Sequence, residues 1–89
     1  MPAKIFYYVY ILRSLKDGKF YVGFTKDLRK RLEEHNNKMS TSTKSRAPFT
    51  LVYYEAYLHS GDAKERERFF KSGWGRNYIK KSLKRYLCQ

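Results

Sequence analysis

The feature that most constrains the fold is a pair of apolar, aromatic segments joined by a short polar connection. The first segment runs from Ile5 to Leu12 and is almost continuous in β-branched and aromatic residues. Such a run is typical of a strand buried on both faces, so we expect it at the centre of a sheet. The second segment runs from about Lys19 to Phe24, and the intervening Asp-Gly dipeptide is a strong turn signal. The sequence therefore predicts a β-hairpin.

Alternation of side chains along the two strands predicts which hairpin residues share a face. Both pairings that the turn allows place Tyr10 and Tyr21 on the same face, together with Tyr8 and Gly23. Gly23 has no side chain, so we expect room above the sheet at this point, where the backbone of a ligand could approach.

The segment after the hairpin predicts a helix with two basic side chains at its inner edge. Thr25 or Asp27 caps the helix, which continues to about residue 36 or 37, and its two leucines form the inward stripe. Arg31 and His35 lie one turn apart beside that stripe. We therefore expect both side chains at the boundary between helix and sheet.

The second half of the chain predicts a loop, a strand and two helices. Residues 38–46 read as a flexible basic loop that touches a phosphate backbone, and residues 49–57 as a third strand. A helix over 63–72 follows, begun by a capping box of Asp62 and Glu65 and closed by Gly73. After a bend at Gly75, the last helix covers about 76–87. The expected fold class is α/β (α+β), with a small three-stranded, mainly antiparallel sheet flanked by helices in one domain, 1–89.

The helix predicted over 63–72 carries one acidic residue in an apolar context. Three- and four-residue spacing puts Ala63, Glu67, Phe70 and Lys71 on one side of the helix, so Glu67 is in line with residues that face the core. We expect Phe70 and Trp74 to be core residues, with stacking of an exposed aromatic on a base as the alternative.

The charge of the chain indicates a polyanionic partner. Twenty basic residues against eight acidic ones give a net charge of +12, which points to nucleic acid, DNA above all; the alternative is a basic surface that only keeps the protein soluble. No apolar run is long enough to span a bilayer and no apolar signal segment follows Met1, so no membrane association is expected. The single cysteine, Cys88, fits a cytoplasmic protein.

The hairpin resembles the signature of the GIY-YIG nuclease superfamily. Tyr8-Val9-Tyr10 stands where that family has Gly-Ile-Tyr, and Tyr21-Val22-Gly23 matches the second triplet. Tyr8 replaces the first glycine, at a position without a chemical role. The resemblance spans most of the chain and is greatest to small single-domain members related to the N-terminal nuclease domain of the excision-repair protein UvrC. It implies the GIY-YIG fold.

The resemblance also implies catalytic roles. Tyr10 would be the general base or part of a water-activating pair with Tyr21, although a phenol needs a nearby cation to act at neutral pH. Arg31 would lower that pKa or hold the scissile phosphate, and His35 would orient a tyrosine or bind the phosphate. Glu67 would bind one Mg²⁺ or Mn²⁺, ions that accept a single carboxylate and retained waters. Further nucleic-acid contacts are expected from Gly23, Lys26, Arg29, Lys44, Arg46, Lys71, Arg76 and Asn77.

Each of these residues also has a purely structural interpretation. A tyrosine often only packs, while Arg31 can be read as a solvated charge, Glu67 as a surface partner of Lys71, and His35 as a helix cap. Three functions follow: a metal-dependent DNA endonuclease, with DNA repair or recombination as its context; a nucleic-acid-binding module with little or no activity; and a protein-interaction domain whose charge is incidental. A protein partner that supplies specificity is compatible with the first two, because the chain shows no separate recognition domain.

Overall fold

One three-stranded antiparallel sheet forms the centre of the molecule. The computed structural model describes residues 5–89, and its strands are β1 (Tyr7–Ser14), β2 (Phe20–Thr25) and β3 (Phe49–Tyr57), in the order β2-β1-β3. The predicted fold class and the central position of the first strand are confirmed. Both hairpin strands lie slightly later in the chain than predicted. The interpretation that no signal segment follows Met1 falls in part on residues 1–4, outside the described range.

The register of the hairpin confirms the predicted shared face. Tyr10 is opposite Gly23, and Leu12 is opposite Tyr21. Tyr8, Tyr10, Tyr21 and Gly23 therefore point to one side of the sheet. Gly18 has a φ of 73° in the connecting turn, a left-handed conformation that glycine adopts readily.

Within residues 5–89, four α-helices and one 3₁₀ turn accompany the sheet. They are α1 (Leu28–Asn36), the 3₁₀ turn (Lys44–Arg46), α2 (Ser60–Phe70), α3 (Gly73–Ser82) and α4 (Lys84–Leu87). Asp27 is the cap of α1, because its side chain accepts a hydrogen bond from the backbone N–H of Lys30. The choice between the two predicted caps is thereby settled.

The start of α2 differs from the prediction. The helix begins at Ser60, and the side chain of His59 caps it by accepting a hydrogen bond from the N–H of Gly61. Asp62 lies within the first turn, so the predicted capping box with Glu65 is wrong. Ser60 and Gly61, which precede Asp62, are already helical, so the helix starts upstream of the predicted position.

The end of α2 also differs from the prediction. Gly73 does not close α2 but begins α3, whose cap is Ser72. Gly75 is not a bend: it is buried in the first turn of α3, where a Cβ atom would overlap the carbonyl oxygen of Phe69. Glycine is therefore needed for close packing of α3 against α2. The predicted last helix is divided at Leu83 into α3 and α4.

Two apolar clusters lie on opposite faces of the sheet. On the face that we call the α2 face, Val9 and Ile11 of β1 pack with Ala63, Phe70 and Ile79. On the other, the α1 face, the buried residues are Tyr10, Leu12, Ala47 and Phe49, and the two leucines of α1 pack against them. The sheet is thus covered on both sides, as the apolar first strand indicates.

The prediction that Trp74 is a core residue is wrong. Phe70 is 1% exposed, as expected, but Trp74 is 82% exposed. In the first turn of α3, Gly75 is the residue that packs against α2, and the neighbouring Trp74 side chain is on the solvent side. Lys71, on the predicted inward line of α2, is exposed as well.

The segment predicted as a flexible basic loop is partly packed into the protein. Thr43 is fully buried and Ser40 is 9% exposed. Arg46, at the end of the segment, forms a 2.9 Å ion pair with Asp17 of the hairpin turn, which holds the pKa of that carboxyl down at about 2. The loop therefore closes over the α1 face.

Candidate active site

A chain of hydrogen bonds between three buried side chains forms the centre of the site. The Tyr10 hydroxyl lies 3.0 Å from Nε2 of His35, and Nδ1 of His35 lies 2.7 Å from Oγ1 of Thr43. Tyr10 is 1% exposed, and His35 and Thr43 are fully buried. In one tautomer Tyr10 donates to the imidazole, which donates to Thr43; in the other, both bonds run in reverse.

Gly23 determines where the Tyr10 ring lies. The two residues are paired across β1 and β2, and the phenol ring extends over Gly23. A Cβ atom at Gly23 would overlap Cζ and the hydroxyl oxygen of Tyr10. The room predicted above Gly23 is therefore filled by Tyr10 and is not open to a ligand. A role of Gly23 in contacting nucleic acid stays a prediction.

His35 is held between aromatic rings. Its ring centroid is 5.1 Å from that of Tyr21 and 5.8 Å from that of Phe49, both in edge-on geometry. Burial lowers the pKa of His35 below its ordinary value, and the positive charge of Arg31 lowers it further, against the opposite effect of Glu34. The imidazole is therefore neutral at neutral pH and can accept a proton in its hydrogen bond with Tyr10.

The surroundings of the Tyr10 hydroxyl include every other predicted catalytic residue. Burial raises the pKa of Tyr10, the nearby Arg31 guanidinium opposes this, and the charges of Tyr21 and Glu67 raise it again. The pKa of Tyr10 is raised overall, so its hydroxyl is a weaker acid than an ordinary phenol. Unaided, Tyr10 is thus protonated at neutral pH, and any role as a base needs a route for its proton.

Arg31 provides a positive charge near the Tyr10 hydroxyl. Its Nη1 forms a 3.0 Å ion pair with Oε1 of Glu34, and its side chain is 32% exposed. Burial alone would lower the pKa of Arg31, but the partners Glu34 and Tyr10 raise it. The guanidinium is a permanent cation that is accessible from solvent beside a buried hydroxyl.

Glu67 reaches the site from a different layer. It lies on α2, whose buried residues Ala63 and Phe70 pack against the α2 face. Its side chain is 23% exposed, and Oε2 lies 3.1 Å from Nζ of Lys71. The structure therefore brings Tyr10, Tyr21, Arg31 and His35 together on one face and couples Glu67 to them through its charge.

The ligands available for a metal are few. Within residues 5–89, no three histidine, cysteine, aspartate or glutamate side chains are close enough together to hold an ion. Glu67 is accessible and has one oxygen engaged by Lys71, so a cation there would retain mostly water ligands. Mg²⁺ and Mn²⁺ accept such an arrangement, whereas a closed structural zinc site would not form.

The predicted nucleic-acid contacts are spread over several elements. Lys26, Arg29, Lys44, Arg76 and Asn77 are exposed. Lys26 lies over the ring of Tyr7, at 5.6 Å from its centroid, and Arg46 and Lys71 are engaged in the ion pairs described above. The exposed basic residues of this set, Lys26, Arg29, Lys44 and Arg76, remain candidates for phosphate binding.

Thr43 is the residue that the sequence did not reveal. It lies in a polar segment without periodicity, and only the path of the loop brings its hydroxyl under His35. No local signal in the sequence distinguishes it from the other Ser and Thr residues of that segment.

Comparison with known proteins identifies the family. The model of the GIY-YIG catalytic domain matches residues 6–84. The chain belongs to the GIY-YIG family. The resemblance of the hairpin triplets is thereby confirmed, and with it membership of a nuclease-type family of domains.

Small GIY-YIG proteins of bacteria are similar to this chain. A UPF0213 protein of Clostridium perfringens is 42% identical over 65 residues, which are 72% of this chain and 69% of the relative. One of Staphylococcus saprophyticus is 40% identical over 67 residues, 74% of this chain and 80% of the relative. The solution NMR structure of a UPF0213 protein of Bacillus halodurans has a TM-score of 0.52 at 33% identity, covering 84% and 82% of the two chains. Across residues 5–89, no helix has the length and apolar character needed to cross a membrane.

Proposed function

We propose that this GIY-YIG domain is a metal-dependent endonuclease that hydrolyses phosphodiester bonds of DNA. The observation that carries the proposal is the buried Tyr10–His35–Thr43 chain next to the Arg31 cation. A buried polar chain with a neutral imidazole is suited to proton transfer, and the adjacent cation is suited to a phosphate. The net charge of +12 supports a polyanionic substrate.

Tyr10 acts as a base through His35. The hydroxyl oxygen of Tyr10 accepts a proton from the attacking water while its own proton passes to Nε2 of His35, 3.0 Å away. Nδ1 of the imidazole meanwhile keeps its hydrogen bond to Thr43, at 2.7 Å. The raised pKa of Tyr10 makes direct ionisation unfavourable, so transfer along the chain avoids a free phenolate.

Arg31 and Glu67 complete the site. Arg31 binds a non-bridging oxygen of the phosphate and stabilises the charge that develops there. Glu67 is the protein ligand for Mg²⁺ or Mn²⁺ and is released from Lys71 for this purpose. When bound, the cation supplies charge neutralisation and lowers the pKa of a coordinated water. Tyr21 keeps the imidazole ring in place by edge-on contact.

Removal of the Glu67 carboxylate tests the proposal. Supercoiled, branched and single-stranded DNA are incubated with Mg²⁺ or Mn²⁺, and nicking is followed by gel electrophoresis. We expect Glu67→Ala to cut at least about 100-fold more slowly, because a metal ligand is lost, while its DNA affinity stays nearly unchanged. Lys64→Ala, an exposed residue of the same helix, is the control and retains cutting. Cutting by Glu67→Ala at the wild-type rate would contradict the metal assignment.

A second function is a nucleic-acid-binding module with little or no activity. It is favoured by the ion pair that occupies one Glu67 oxygen and by the raised pKa of Tyr10. In that case wild type binds DNA, with an affinity that falls steeply with salt, and cuts none of the three substrates. We further propose that the protein acts in the cytoplasm, in repair or recombination of DNA, with a protein partner that adds specificity.

A further inference from the structure

A groove of about 580 Å³ lies on the α2 face, between β2 and the junction of α2 and α3. Its apolar lining consists of Phe20 and Val22 from β2, Phe70 from α2 and Ile79 from α3. Phe70 and Ile79 are almost fully buried, whereas Phe20 and Val22 are partly accessible. The groove thus offers an apolar surface that includes an accessible aromatic ring.

The charged lining of the groove has a single sign. Lys19, Lys71, Arg76 and Lys80 line it, and all four are exposed. An apolar ligand would gain nothing from these cations, and an anion alone would gain nothing from the ring of Phe20. A ligand that carries both an aromatic plane and flanking negative charges is complementary to both.

The groove lies on the α2 face, across β2 from the Tyr10–His35 pair, but it shares residues with the surroundings of the candidate active site. Lys71 lines the groove, and its Nζ is 3.1 Å from Oε2 of Glu67. Tyr21 also lines the groove, and its ring is 5.1 Å from the ring of His35. β2 is an edge strand of the sheet, so the groove and the Tyr10–His35 pair lie on either side of a single strand at the sheet edge. A nucleotide that extends from a phosphate held near Glu67 would therefore meet the Lys71 side of the groove.

We propose that this groove binds one unpaired nucleotide next to the scissile phosphate, with its base against Phe20 and its flanking phosphates on the surrounding lysines. A base within a duplex is stacked on both sides and cannot present a face to Phe20, whereas an unpaired or extruded base can. The position next to a scissile phosphate rests on the proposed nuclease function. Binding of the base does not.

Binding without cutting provides the test. In EDTA and in the Glu67→Ala background, fluorescence anisotropy measures the affinity for a labelled single-stranded oligonucleotide and for a blunt duplex of the same sequence. We expect Phe20→Leu, which keeps an apolar side chain but removes the ring, to weaken single-strand binding about fivefold to twentyfold. Duplex binding changes less than about twofold, since the phosphate contacts remain. Phe20→Tyr restores single-strand affinity.

The exposed Trp74 provides the matched control, because it does not line the groove. We expect Trp74→Leu to leave both affinities unchanged. The proposal would be overturned if Phe20→Leu lost no affinity, or lost equal affinity for single-stranded and duplex DNA. It would also be overturned if Trp74→Leu, and not Phe20→Leu, lost single-strand affinity. If Phe20→Leu does not fold, Lys80→Glu must weaken single-strand binding more than Lys30→Glu on α1 does; equal effects would overturn the groove. Absence of cutting by wild type would refute the nuclease and leave this binding result intact.

Discussion

Two tyrosine-containing networks lie on opposite faces of the same sheet and differ in how their hydroxyls are satisfied. On the α2 face, Tyr53 and Tyr57 each donate a 2.6 Å hydrogen bond to the carboxylate of Glu55, which also pairs with the guanidinium of Arg66 at 2.8 and 2.9 Å. On the α1 face, the Tyr10 hydroxyl forms its hydrogen bond with a neutral imidazole and has no carboxylate partner among the hydrogen bonds of the described residues. The first is a closed ionic network, and the second is a neutral chain.

The closed network keeps its protons where they are. Burial would raise the pKa of Glu55, but Arg66 and the two tyrosines lower it to about 2, while burial and Glu55 raise the pKa of Tyr57. The Arg66 guanidinium is also stacked on Phe69 and Phe70, 4.6 and 4.7 Å from their centroids. No proton can move without breaking a strong interaction, so this network stabilises structure. A neutral chain lacks that restraint, which is why we assign chemistry to Tyr10.

The largest expected effect separates the two networks by activity. Tyr10→Phe removes the hydroxyl and leaves the ring over Gly23, so we expect cutting of DNA to fall at least about 100-fold. Tyr57→Phe removes a hydroxyl of the same type from the Glu55 network and should cut within about threefold of wild type. Rates are measured under single-turnover conditions with Mg²⁺. A similar loss in both variants would contradict the assignment of chemistry to one network.

The next effect separates them by stability. Glu55→Gln leaves the partly buried Arg66 without its counter-charge, and we expect a loss of about 2 to 3 kcal/mol in the free energy of unfolding. Urea denaturation measures it, while DNA affinity should change little. Asp17→Asn, which breaks the more exposed pair with Arg46, is the control and should cost far less. A negligible loss in Glu55→Gln would show that the ionic network is not structural.

The hairpin half of the candidate site could be predicted from sequence because strand geometry is periodic. Given the turn, alternation alone places Tyr10, Tyr21 and Gly23 on one face, and the observed register agrees. Helical spacing likewise places His35 and Arg31 near the sheet, and identifies Phe70 as a core residue. These inferences need only a local period and one turn signal.

The rest depends on contacts between distant segments. The filling of the space over Gly23 depends on the direction of the Tyr10 ring, and Thr43 reaches His35 only because its loop closes over the α1 face. The exposure of Trp74 depends on which residue in the first turn of α3 packs against α2, and that residue is Gly75. Local propensity contains no information on such pairings.

The smallest expected effect is on how the free energy of unfolding depends on pH, because the two networks lose their stabilising contribution at different pH values. The pKa of His35 in the folded protein is below its ordinary value of 6.5, so the unfolded chain takes up a proton first as the pH falls through that value. Stability contributed by the neutral imidazole is therefore complete above about pH 6.5 and declines below it, at no more than about 1.4 kcal/mol per pH unit. The pKa of Glu55 is lowered from 4.5 to about 2 in the folded protein, so the stability that its carboxylate contributes is lost only as the pH drops from 4.5 towards 2.

Urea denaturation between pH 7.5 and 5 checks this difference. We expect the free energy of unfolding of wild type to fall over that range, and that of His35→Gln, which cannot titrate there, to fall markedly less. In Glu55→Gln, the free energy of unfolding should change with pH as it does in wild type over this range. The two should differ in pH dependence only below pH 4.5. An unchanged slope in His35→Gln would mean that the imidazole is not held neutral by its surroundings. Below about pH 6.5 the Tyr10 hydroxyl would then face an imidazolium, and in that range the route for its proton through His35 would be closed.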